Sequence, residues 1–132
     1  MNCKFCDIMA GKEKAHIVFE DKKILCILPK KMEAYGHLLV LPKRHCEDIF
    51  DIPEKELKQV MLAVQKLSKK LVDNLDAKGV NILHASGKAA QQSVNHFHIH
   101  ILPRYKDDKL DTWPKLKEVD ADRDILVKKL NI

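Results

Sequence analysis

Imidazole and apolar side chains alternate through His96-Phe97-His98-Ile99-His100, inside the longer run from Gln92 to Arg104. Alternation in the company of Val, Ile and Phe is the period of a β-strand, whose successive side chains face opposite ways. Pro103 closes the run. On such a strand the three histidines share one face while Phe97, Ile99 and Ile101 fill the other. A hydrophobic core behind the strand would then hold the histidines rigidly in front of it. The chain must therefore build a sheet that buries one face and turns imidazoles out of the other.

The remaining periodic segments fit around that strand. Ile17 to Phe19 and Ile24 to Leu28 are short apolar runs joined by the charged turn Glu20-Asp21-Lys22-Lys23, the pattern of a hairpin. Gly36 to Pro42 reads as a strand that follows the loop Pro29 to Tyr35 and carries His37 at its start, and Val80 to Leu83 reads as another. Asp51 and Glu54 have capping-box-like spacing, Pro53 suits a first helical turn, and Leu57, Val60, Met61, Val64, Leu67, Leu71 and Leu75 recur at helical spacing. A last amphipathic helix covers roughly Asp120 to Leu130, with Ile125, Leu126 and Leu130 on one side. The first dozen residues, with Cys3-Lys4-Phe5-Cys6, read as a short helical turn or knuckle. This order gives an α+β fold: a largely antiparallel five-stranded sheet with one long helix and a C-terminal helix. With no Gly/Ser linker or internal repeat, residues 1–132 read as a single domain.

Apolar residues make up 45% of the chain and charged ones 33%, the balance of a soluble globular protein. No run approaches the roughly 18 apolar residues of a membrane span. Met1-Asn2-Cys3-Lys4 lacks the apolar stretch of a signal peptide, so the expected compartment is the cytoplasm or nucleus, where the four cysteines stay reduced and available to a metal. A net charge of +5 favours anionic ligands. No basic segment interleaves with aromatic residues, which argues against nucleic acid and for a small phosphorylated ligand.

Three imidazoles in a row without partners cost stability, so they imply either metal chelation or nucleophilic and acid/base catalysis. At about 3.3 Å per residue, His96 and His100 stand about 13 Å apart on a straight strand, too far to share one ion with His98. Cys3 and Cys6 form a CxxC pair, which can chelate zinc, act as a redox pair, or simply be buried. His45 and His96 would complete a Cys2His2 set, a closed structural zinc site tying the N-terminus to the sheet. His98, in the centre, is the best nucleophile: a neutral imidazole with one nitrogen fixed by a backbone carbonyl can attack phosphorus with the other. His100 can donate to the leaving group. Ser93 can hydrogen-bond a phosphate oxygen, and loop N–H groups from Gly87 to Gln92 could form an anion nest.

The run Gln92 to Arg104 resembles the signature of the histidine triad (HIT) superfamily. The likeness extends to Cys3 through Ile8, to Gly36 through His45 and to the Gly87-Lys88-Ala89-Ala90 loop, so it covers nearly the whole chain. It is similar to the zinc-bearing, Hint-like branch, and the resemblance implies a homodimeric nucleotide-binding hydrolase or transferase. Such an enzyme cleaves phosphoramidate or phosphoanhydride bonds at the α-phosphate of purine nucleotides through a nucleotidyl-histidine. It also implies His98 as nucleophile, His100 at the phosphate and leaving group, and His37 as their supporting histidine. Ser93 and Gln92, with Gly87 and Ser86 of the loop, fall on the substrate side, and Cys3, Cys6, His45 and His96 are the implied zinc ligands. Dinucleoside polyphosphate hydrolysis uses the same chemistry, and a nucleotide-binding or scaffolding protein with little turnover is a third expectation.

Three departures lie on the nucleoside side. Pro29 stands where the family usually has an Asp or Asn for the ribose hydroxyls, Ala85 where an Asn or Gln is usual, and Gln91 where a Gly is usual. Two lost polar contacts at about 1 kcal/mol each weaken nucleotide binding by about an order of magnitude, unless His84, Ser86 or Glu33 compensates.

Overall fold

The computed structural model describes residues 2–132. Five strands, β1 (His16–Glu20), β2 (Ile24–Leu28), β3 (Leu38–Pro42), β4 (Gly79–Leu83) and β5 (Ile99–Arg104), form one antiparallel sheet in the order β1-β2-β3-β5-β4. The helices are α1 (Lys4–Met9), α2 (Glu54–Leu75) and α3 (Arg123–Leu130), with a short 3-10 turn at Lys88–Ala90. This is the α+β architecture expected. Among the described residues no helix is long and apolar enough to cross a membrane.

Alternation along the three inner strands sorts the core into two layers. Ile24, Cys26, Leu38, Val40, Ile99 and Ile101 face Val60, Val64, Leu67 and Leu71 of α2, and Phe97 joins the same cluster. Leu25, Ile27, Leu39 and Leu41 point the other way, towards Cys3 and the α1 residues Phe5 and Ile8. The α2 stripe therefore covers its own sheet, and α1 covers only part of the opposite face. The uncovered remainder is where the histidines emerge.

Helix α2 starts without the expected capping box. Its N-cap is Pro53, which makes no side-chain cap, while the Asp51 carboxylate accepts from the backbone N–H groups of Glu47 and Asp48 at 3.0 and 2.9 Å. A missing cap costs about 1 kcal/mol, against roughly 2 kcal/mol gained by each of the four buried α2 side chains, so packing decides the helix. At its far end the Leu75 side chain presses on Gly36. That glycine has φ +91°, and a Cβ there would lie 2.6 Å from Leu75 Cδ1. Only glycine lets the chain turn beneath α2 and enter β3 with His37 in place.

The histidine strand differs from expectation at both ends. β5 begins at Ile99, because residues 96–98 spend their hydrogen bonds outside the ladder: Phe97 N–H donates to the Cys46 carbonyl at 2.7 Å, and both flanking imidazoles bond to backbone. It also runs through Pro103 to Arg104. Pairing of β3 with β5 stops at Leu38–Ile101, so at Pro103 only β4 flanks the strand and no ladder bond is lost on the open side. Helix α3 begins at Arg123 rather than near Asp120, behind Asp122, whose carboxylate accepts from Ile125 N–H at 3.1 Å. None of its residues is buried; its amphipathic pattern covers nothing in this chain.

Candidate functional site

Cys3 is the N-cap of α1 and Cys6 lies one turn on, so both sulfurs sit at the same end of the helix. Behind the end of β3, His45 reaches the same point, as does His96 at the head of the histidine run; the four ligand atoms all lie within 4.8 Å of one another. Cys3 Sγ and His96 Nδ1 are 3.4 Å apart, Cys6 Sγ and His45 Nδ1 3.4 Å, and Cys6 Sγ and His96 Nδ1 3.7 Å. Tetrahedral zinc with ordinary Zn–S and Zn–N bonds places sulfur and nitrogen about 3.6 Å apart. His96 Nε2–H donates to the Pro42 carbonyl at 2.8 Å, which leaves the Nδ1 lone pair turned to the metal position. The donor set therefore fits a structural zinc ion with four protein ligands.

The other two histidines of the run belong to a different network. His98 Nδ1–H donates to the His96 carbonyl at 2.8 Å, so its Nε2 carries a lone pair. The His37 ring accepts at Nδ1 from the Glu33 backbone N–H at 3.2 Å, which puts its proton on Nε2, 2.9 Å from His100 Nδ1. His100 thus accepts at Nδ1 and carries its own proton on Nε2. Side by side, with ring centroids 5.1 Å apart, His98 offers an electron pair and His100 an N–H. That is the pairing an in-line displacement needs.

Both rings line a cavity of about 820 Å³ on the face that α1 leaves open, together with Ser93 and the apolar Phe5, Ile8, Ile27 and Leu39. His37 stands behind His100. Gln92, Gly87 and Ser86 stand outside the lining: Gln92 accepts from Gly87 N–H at 2.8 Å and donates to the carbonyls of Glu47 and Val94, which shapes the loop before Ser93. Glu33 and His84 also lie outside it. His84 instead backs the backbone of His98. Its Nδ1–H donates to the His98 carbonyl at 2.8 Å, and its Nε2 accepts from Ser86 Oγ, which in turn accepts from Ile49 N–H at 2.9 Å. Pairing Leu83 with His100 across β4 and β5 is the signal that brings His84 to this position.

Burial holds His37 and His98 below the ordinary histidine range, and burial together with His98 and His37 pushes His100 down to about 4. These rings are neutral at pH 7. An unfolded chain binds protons at these positions from about pH 6.5 downward, where the folded chain does not. Stability is therefore expected to be complete above pH 6.5 and to fall as the pH drops from 6.5 towards 4. Urea midpoints across that range check this; a midpoint constant from pH 7 to pH 4.5 would contradict it.

Buried Cys26 makes no part of either network, and burial pushes its thiol up to about 12, as suits a small core hydrophobe. Arg104 staples the following loop, its fork on the Asp108 carboxylate at 2.9 Å and on Asn81 and Thr112 at 2.9 Å.

Comparison with known proteins agrees with this geometry. Residues 10–107 match the HIT domain family. A HIT-like protein of Methanocaldococcus jannaschii is 37% identical over 121 residues, 91% of this chain and 93% of its own. A zinc-bound histidine triad family protein from Mycobacterium smegmatis superposes with a TM-score of 0.81 at 33% identity, covering 99% of this chain and 96% of that one. The histidine triad nucleotide-binding protein of Candida albicans gives 0.83 at 30% identity, covering 98% and 93%.

Proposed function

This chain belongs to the HIT family, and from that premise we propose that it is a nucleotide-binding hydrolase or transferase cleaving phosphoramidate or phosphoanhydride bonds at the α-phosphate of a purine nucleotide. The observation that carries the proposal is the opposed protonation of two neighbouring rings in one cavity, a lone pair on His98 Nε2 and a proton on His100 Nε2. The binding half of the proposal draws support from the nucleotide-binding name of the Candida albicans structure.

In the reaction we propose, His98 Nε2 attacks the α-phosphorus and the P–N bond breaks. Its Nδ1–H, held by the His96 carbonyl, keeps the ring in the attacking tautomer and stabilises the charge it gains. The bound phosphate favours uptake of one proton from solvent by the His37–His100 pair, and the pair delivers it from His100 Nε2 to the departing amine. Water then attacks phosphorus, His98 leaves, and the water's proton restores His100. Ser93 O–H donates to a phosphoryl oxygen, and His37 orients His100. Zinc on Cys3, Cys6, His45 and His96 supplies a rigid anchor for the segment that carries the His96 carbonyl. The free edge of β4, where Ile82 is half exposed, supports the homodimer implied by the resemblance.

A single-turnover reaction with adenosine 5′-phosphoramidate, quenched in base and read by intact mass and peptide mapping, tests the covalent route. A nucleotidyl adduct on the peptide carrying His98 is expected. AMP formed with no adduct at any quench time would remove the covalent step, and binding with no AMP would favour the scaffold reading. Comparing kcat/KM for the phosphoramidate and a dinucleoside polyphosphate separates the two substrate classes.

A further inference from the structure

The cavity's far end is built for something other than a plain sugar. Ile17, Ile27, Leu39 and His100 pair in one row across β1, β2, β3 and β5. At about 4.8 Å per strand, the row extends about 10 Å from His100 to β2 and about 14 Å to β1. A nucleotide with its α-phosphate at the histidines would have this row to lay its nucleoside along. Beside the row, two residues past Ile27 and just after β2, Pro29 lines the cavity with no side-chain acceptor, and Lys4, Lys14, Lys30 and Lys31 line it too.

Ribose hydroxyls need acceptors, and leaving them unpaired in a pocket costs binding. The one carboxylate lining this end, Glu13, is taken by Lys30 at 3.1 Å and Lys4 at 4.0 Å. Lys14 and Lys31 have no such partner among the described residues. The lining on this side thus carries two exposed, unpaired lysines and no free carboxylate to accept from a diol. We infer that the nucleotide taken by this site carries a second phosphate on its ribose, at the 2′ or 3′ position, bound by Lys14 and Lys31.

This inference rests on the nucleotide reading above, and calorimetry with four ligands separates their fates. Adenosine 3′,5′-bisphosphate or adenosine 2′,5′-bisphosphate is expected to bind about tenfold tighter than AMP, as two exposed charge pairs would give. Which isomer gains identifies the position. ADP carries its added charge on the other side of the α-phosphate and is expected to gain less than about threefold over AMP by the same charge rule. The gain should shrink as salt rises. The Lys14→Ala/Lys31→Ala protein should lose the bisphosphate preference, and Pro29→Asp should shift the ratio towards AMP. If AMP binds and neither bisphosphate binds tighter, or if ADP gains as much, the ribose phosphate is overturned while nucleotide binding stands. If none of the four binds, the nucleotide reading falls and takes this inference with it.

Discussion

Replacing His98 with Asn is expected to lower kcat on adenosine 5′-phosphoramidate by about ten-thousandfold or more with the fold intact, because the substitution removes the nucleophile and little else. The Asn amide can donate to the His96 carbonyl in place of Nδ1–H, so the buried acceptor keeps its partner and the usual penalty for orphaning it is avoided. The lost contacts are the edge of Phe5, whose centroid lies 5.3 Å from the imidazole, and the His100 ring at 5.1 Å. A thermal midpoint within a few degrees of the parent would confirm that chemistry alone was lost. His100→Asn should cost less, about a hundredfold to a thousandfold, since it removes proton transfer and leaves covalent attack possible. If the His98→Asn protein turned over within tenfold of the parent, attack by His98 would be wrong whatever the fate of His100.

The order of those two effects depends on a geometry that the alternation of residues 96–100 made legible only in part. Phe97, Ile99 and Ile101 do share the core face, and Val60, Val64, Leu67 and Leu71 do form the covering stripe, because burial of apolar area follows directly from period. Cys3, Cys6, His45 and His96 were recognisable because few other donor sets close a zinc site. What the pattern hides is competition. His96 has the parity of a strand residue, yet the metal position and the Pro42 carbonyl draw its ring aside, and the ladder starts three residues later at Ile99. Asp51 has capping spacing, yet two backbone amides that precede it take its carboxylate. Local spacing holds no record of such rivals. The tautomers of His37, His98 and His100 depend on contacts from Glu33 and His96 that come from the folded backbone, and the lysine rim draws on α1, the segment before β1 and the loop after β2. Helix α3 shows the converse, a periodic pattern with no surface to cover.

Removing the metal, by chelation or by Cys6→Ser, is expected to lower the thermal midpoint by at least about 10 °C, for a loss of about 3 kcal/mol or more. The ion joins residues 3 and 6 to residues 45 and 96, and without it the short α1 is held on Leu25, Ile27, Leu39 and Leu41 chiefly by Phe5 and Ile8, with Met9 packing in part. Six residues make too short a helix to persist unaided. Activity should fall with it, since α1 supplies the Phe5 and Ile8 wall of the cavity and His96 carries the carbonyl that fixes the nucleophile. Burial and the neighbouring Cys3 push the Cys6 thiol up to about 11, and zinc takes the thiolate, so binding must release protons and affinity must fall as the pH drops. Cobalt separates anchoring from catalysis. All four ligands come from the protein and none from the His98–His100 pair, so the cobalt-loaded protein should regain its midpoint and turn over within a few-fold of the zinc form. A rate that followed the identity of the ion, at equal stability, would place the metal in the chemistry and overturn the structural role.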